Sequence, residues 1–164
     1  MSLRYVLRDV AATEALAQAL ARTQPDPAVV HLQGELGAGK STLARAWLRA
    51  LGVTGTVRSP TYTLVEQYPL PGRAAGTLAL HLDLYRIGAP GELEFLGLDD
   101  QAAALWLVEW PEHGAAVLPA PDLEVHLAVA GEGRSALLRP RSARGEAWLA
   151  ENALSQGLRP HAEP

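Results

Sequence analysis

The apolar positions along this chain change period several times, and each change marks an element. "LRYVLRD" near the start alternates as a short strand, whereas "TEALAQALAR" from Thr13 to Arg22 spaces Leu16 and Leu20 four apart, the repeat of a helix. Thr13 is its expected N-cap and "QPDP" its stop. "VVHLQ", Val29 to Gln33, predicts a strand that runs into a group of glycines. "KSTLARAWLRAL" then predicts a helix with Leu43, Trp47 and Leu51 on one face and Gly52 just past its end. "TYTLVEQY" and "TLALHLDLY" alternate as strands joined by the Pro/Gly turn material of "PLPGRAAG". "APGELEFLGL" reads as a short helix and "ALWLVEW" as a nearly continuous apolar strand. "LEVHLAV" and "RSALLRP" around "GEG" read as a hairpin. A last helix is expected over "GEAWLAENAL", followed by "SQGLRPHAEP" as a frayed tail. A crossover helix early and hairpins late predict an α/β layered arrangement with a mixed sheet.

Composition narrows this little but in a useful direction. The chain has 164 residues, of which 48% are hydrophobic and 20% charged, enough for one domain with a substantial core. No apolar run approaches about 18 residues and "MSLRYVLRDV" lacks the pattern of a signal peptide, so the expectation is a soluble, cytoplasmic protein with no membrane partner. Absence of cysteine removes disulfides and thiolate chemistry. A formal net charge of -4 leaves no global cationic field to hold a nucleic acid.

The basic residues carry the sharper signal. Of 14 Lys and Arg side chains, Lys40 is the only lysine. It stands in "GELGAGKST", where Gly34, Gly39, Lys40 and Ser41 satisfy G-x-x-x-x-G-K-[ST], the phosphate loop of nucleoside triphosphate binders, with Gly37 as a further glycine inside it. Backbone N–H groups from Gly34 through Glu35, Leu36, Gly37, Ala38 and Gly39 must curl around phosphates, which glycines permit, while the following helix N-terminus adds partial positive charge. Ammonium is a compact point charge that reaches between phosphate oxygens, whereas a guanidinium is broader, which explains why a chain biased to arginine keeps a lysine here. Ser41 is placed to ligate Mg²⁺ through its hydroxyl, and Thr42 to donate toward the α-phosphate side. With this motif between a predicted strand and a predicted helix, the expectation becomes a P-loop NTPase-like α/β domain with a mixed, mostly parallel sheet and a C-terminal hairpin. It spans 1–154, with a disordered tail over 155–164.

Such a loop needs a carboxylate at the end of a buried strand to organise the metal. "LWLVE" ends on Glu109, costly to leave beside buried apolar residues without a cation, and "LALHLD" ends on Asp83 with Tyr85 and Arg86 just beyond. A solvated strand end is the bland alternative for each. His81 lies on the face of Asp83 but has no second His or Cys at ligand spacing, and reads as structural. "SPTYT", Ser59 to Thr63, is either a hydroxyl-rich segment able to sense a γ-phosphate or a proline turn opening a strand. Trp106 and Trp110 read as core or interface aromatics.

Taken in order, "GELGAGKSTLARAWLRALG", "SPTYTLVEQY", "HLDLYR", "ELEFLGLDD" and "LVEWPEHG" resemble the TsaE (YjeE) family from about Thr13 to Arg134. That resemblance implies ATP binding with Mg²⁺, slow hydrolysis, and action with TsaB and TsaD in the threonylcarbamoyl modification of adenosine 37 in tRNA, with tRNA contacted indirectly. It further implies Lys40, Ser41 and Thr42 on the phosphates, Ser41 and Glu109 on the metal, Asp83 as the aspartate of D-x-Y-R, Trp110 after the metal glutamate, and Arg134 of "GEGR" near the nucleotide. Lys40, Asp83 and Glu109 are thus the expected catalytic set.

Other classes fit less well. A GTPase would show N-K-x-D and D-x-x-G, but the only Lys is Lys40, the only Asn is Asn152, and no Asp is followed three places on by Gly. A small-molecule kinase would use Asp83 as base and Arg86 on an acceptor, yet needs an arginine-rich lid where only Arg86 stands between Asp83 and Arg134. A nucleotide-sensing module would keep Lys40 and Ser41 without a productive Glu109. Since none of Arg58, Arg86 and Arg134 is spaced to guarantee contact with a γ-phosphate, the isolated protein is expected to hydrolyse ATP slowly and faster beside its partners.

Overall fold

Alternating and continuous apolar runs do assemble into one seven-stranded sheet in the computed structural model, which describes residues 1–89, 91–94, 96–98 and 103–164. The elements in chain order are β1 (Leu3–Leu7), α1 (Val10–Thr23), β2 (Ala28–Gln33), α2 (Lys40–Ala50), β3 (Val65–Pro69), β4 (Leu78–Asp83), α3 (Gly91–Glu94), β5 (Ala103–Glu109), β6 (Leu123–Ala130), β7 (Gly133–Pro140), α4 (Ala143–Leu149) and α5 (Asn152–Leu158). Short 3-10 turns cover Pro111–His113 and Arg159–His161. The strand order is β1-β7-β6-β2-β5-β4-β3. β6, β2, β5 and β4 run parallel to their neighbours in the centre, and the outer pairings are antiparallel. The mixed sheet is as expected, and β6 and β7 form the C-terminal hairpin.

One face of the sheet buries Val30, Leu32, Leu105, Leu107, Leu123 and Val125 against α1, α2, α4 and α5, whose Leu16, Leu20, Trp47, Trp148, Leu154 and Leu158 share that core. A smaller cluster on the other face joins Leu80, Leu82 and Val108 to Leu93 and Leu98. Because side chains alternate along a strand, Glu109 falls on the larger face with Leu107, and the α2 N-terminus lies over it.

Four expectations are corrected. α1 begins at Val10, not at Thr13, because the Asp9 carboxylate accepts from Ala12 N–H at 2.8 Å and caps the helix a turn earlier. β3 loses "TYTL": Leu64 N–H bonds back to Pro60 and Leu64 itself has φ 66, so 61–64 is a turn. "GEAWLAENAL" is two helices, α4 and α5, separated at Ala150 and Glu151. The expected tail is ordered, since Leu154 and Leu158 repeat at i, i+4 and dock on α1. Gly157 permits a close approach there, and Ala162 bridges to Tyr5. Of the helix expected over "APGELEFLGL", Pro90 and Phe95 lie outside the described residues, as do Asp99 and Asp100 of "ELEFLGLDD". No helix among the described residues is long and apolar enough to cross a membrane.

Candidate functional site

The glycine positions build the loop. Gly34 has φ 148 and a Cβ there would stand 2.4 Å from the Leu127 carbonyl oxygen, so the chain can leave β2 along this path only without a side chain. Ala38 N–H donates to the Glu35 carbonyl at 3.1 Å and closes a turn. Gly39, at φ 106, is the N-cap of α2 and supplies no side-chain oxygen. The first N–H groups of an 11-residue helix are therefore not consumed by a cap and are free for an anion. Lys40 is buried and donates through Nζ to the Gly34 carbonyl and, at 3.1 Å, to that of Glu35. The same ammonium lies 4.4 Å from the centre of the Trp110 ring.

Opposite the loop stand both candidate carboxylates, brought side by side by the β4–β5 register, which pairs Asp83 with Glu109. Glu109 is 3% exposed and both its oxygens lie 3.3 Å from Ser41 Oγ. Asp83 accepts from Tyr85 N–H at 3.0 Å and from Thr61 Oγ1 at 3.4 Å. A cleft of about 280 Å³ separates the two sides, lined among others by Leu36, Gly37, Thr42, Tyr85 and Arg134. The candidate donors here, Ser41, Asp83 and Glu109, offer only hard oxygens. That combination fits Mg²⁺, which retains water and takes one or two carboxylates plus substrate phosphate oxygens rather than a full protein cage.

Arg134, at the start of β7, reaches across to the loop and donates to the Gly37 carbonyl at 3.0 Å. It also donates to Gly133 at 2.8 Å. Arg86 instead lies 4.5 Å over the exposed Tyr62 ring, and Arg58 is exposed. Trp110 is more than a core aromatic: at φ 55 it turns back to stand 5.0 Å from Tyr85 while covering Lys40. Trp106 stays against the smaller apolar cluster.

Two histidines carry more than the sequence disclosed. His81 Nε2 is 2.6 Å from Glu109 Oε2, with both side chains buried. Alternation places His81 with Asp83, but only the register with β5 aims it at Glu109. His31 points to the other sheet face, where burial lowers its pKa from the ordinary 6.5, partly offset by Glu124 and Glu112.

A family model described as threonylcarbamoyl adenosine biosynthesis protein TsaE matches residues 7–136. The chain is 46% identical over 101 residues to the tRNA threonylcarbamoyladenosine biosynthesis protein TsaE of Haemophilus influenzae, covering 60% of this chain and 61% of that relative. It is 38% identical over 117 residues to the TsaE protein of Synechocystis, covering 68% of this chain and 71% of that one. For the Bacillus subtilis TsaE the identity is 36% over 123 residues, 73% of each chain. The crystal structure of Bacillus subtilis YdiB superposes with a TM-score of 0.75 at 27% identity over 95% of both chains.

Proposed function

The chain belongs to the TsaE family of threonylcarbamoyladenosine biosynthesis, and from that premise we propose that it binds ATP with Mg²⁺ and hydrolyses it slowly in support of the modification of adenosine 37 in tRNA, together with TsaB and TsaD. The observation that carries the reading is the meeting of Ser41 with Glu109 beside Lys40 at an uncapped helix N-terminus. The loop N–H groups and Lys40 bind the β- and γ-phosphoryl oxygens, for which Lys40 must exchange its bonds to the Gly34 and Glu35 carbonyls. Ser41 and Glu109 would hold Mg²⁺, which when bound would supply charge neutralisation at the phosphoryl groups. Asp83 would order water beside that site, and Thr61 ties Asp83 to the 58–64 segment. Arg134 holds the loop from the β7 side and bounds the nucleotide cleft. A net charge of -4 supports an indirect relation to tRNA through the partner proteins.

The decisive experiment combines this protein with TsaB, TsaD, ATP, threonine, bicarbonate and unmodified tRNA and follows modified adenosine over many turnovers. Modification that stops when this protein is omitted, and that fails with Lys40→Ala, is the expected result. Equal yield with and without the protein would refute the role. ADP production dependent on a small-molecule acceptor would point instead to a kinase.

A further inference from the structure

We infer that His81 is a positioning residue that locks the Glu109 carboxylate in the orientation that presents it to the metal, an inference that rests on the Mg²⁺-nucleotide reading above. The distance from His81 Nε2 to Glu109 Oε2 is 2.6 Å, and Nδ1 of the same ring is buried with no hydrogen-bond partner among the described residues. Those two facts assign the proton. With the proton on Nδ1, the ring would bury an orphan donor and aim a lone pair at a carboxylate oxygen. With it on Nε2, the ring donates to Glu109 and leaves only a weak unpaired acceptor. His81 is 2% exposed and sits on β4, while Glu109 ends β5, so the donor is fixed by the sheet itself.

A carboxylate needs such a partner at this place. The terminal torsion of a glutamate is broad, so an unheld group at a strand end samples many orientations. His81 takes Oε2 from behind while Ser41 faces both oxygens at 3.3 Å from the cleft side. Ligating carboxylates are commonly steadied by an outer hydrogen bond, and losing one costs about 10- to 100-fold in metal affinity. A histidine that only fills core volume would have no such effect on the metal.

The test measures ADP binding by titration calorimetry across a MgCl₂ series and again in excess EDTA, for wild type, His81→Leu, His81→Gln and His81→Asn. His81→Leu is expected to raise the Mg²⁺ concentration for half-maximal binding enhancement by about 10- to 100-fold, leaving metal-free ADP affinity unchanged. His81→Gln, whose amide reaches the Nε2 position, should restore most of the wild-type response. His81→Asn, whose amide stops nearer Nδ1, should not, and this pair decides the matter if His81→Leu fails to fold. In a Glu109→Gln background, His81→Leu should add nothing. A wild-type Mg²⁺ response in His81→Leu and His81→Asn, or equal loss in Gln and Asn variants, would overturn the inference while the functional reading stands. Wild-type ADP binding indifferent to Mg²⁺ would overturn both.

Discussion

Glu109 and Asp83 end adjacent parallel strands in register, yet their surroundings differ in kind. Glu109 is enclosed by elements of the main core: Ser41 at the head of α2, His81 from β4, and its own carbonyl accepting from Leu84 N–H at 3.1 Å. Asp83 is as buried, but its side chain answers to Tyr85 N–H and to Thr61, in a segment whose Arg58, Ser59 and Tyr62 are exposed. On the carboxylate side of the cleft, Glu109 is thus held by core packing, while Asp83 depends on an exposed segment. In the proposed reading, similar carboxylates take different tasks from what stands behind them: Glu109 would organise charge, and Asp83 would register the state of the 58–64 segment.

The largest expected effect is at Lys40. Lys40→Ala is expected to reduce ADP production by about 10³-fold or more, the scale on which a transition-state cation counts in phosphoryl transfer. Lys40→Arg should fail comparably, because a fork does not replace a point charge in this cradle. Wild-type-like turnover by Lys40→Arg would remove the explanation for the lone lysine. Glu109→Gln keeps shape and loses charge; it should still bind ATP but turn it over about 10²- to 10³-fold more slowly, the cost of a lost electrostatic stabiliser. Asp83→Asn should cost less, about 10- to 100-fold, as an outer-shell partner does. Single-turnover ADP formation ranks the two, and the reverse order would exchange their roles.

Thr61→Ala probes the surface segment itself. Its expected effect is to lower the rate with TsaB and TsaD present more than the rate of the isolated protein, measured as steady-state ADP production at saturating ATP. Equal losses in both conditions would deny the segment a coupling role. The smallest effect concerns stability away from the cleft. Burial lowers the His31 pKa, so the unfolded chain takes up a proton more readily than the folded one. Stability should fall as pH drops below the ordinary histidine value of 6.5 and level off beneath the lowered folded value. His31→Gln should shrink the loss of Tm between neutral pH and about pH 5; an unchanged loss would assign the acid sensitivity to other groups.

Local chemistry by itself determined the glycine-rich loop, the helix it opens, and the two strands that end in carboxylates. Backbone conformation at Gly34 and Gly39, the charge of Lys40 and the alternation of "LALHLD" and "LWLVE" act over a few residues, so they are written where they operate. Only the tertiary structure decided which strand lies beside which. β5 inserts between β2 and β4 and sets His81 against Glu109 across 28 positions, while the β6–β7 hairpin on the other side of β2 sets Arg134 against Gly37 across 97. The same long-range packing captured the C-terminal residues, where an i, i+4 leucine pair became α5 because α1 offered a face for it. Register and docking depend on which apolar faces find each other in the whole chain, and no local pattern encodes that choice.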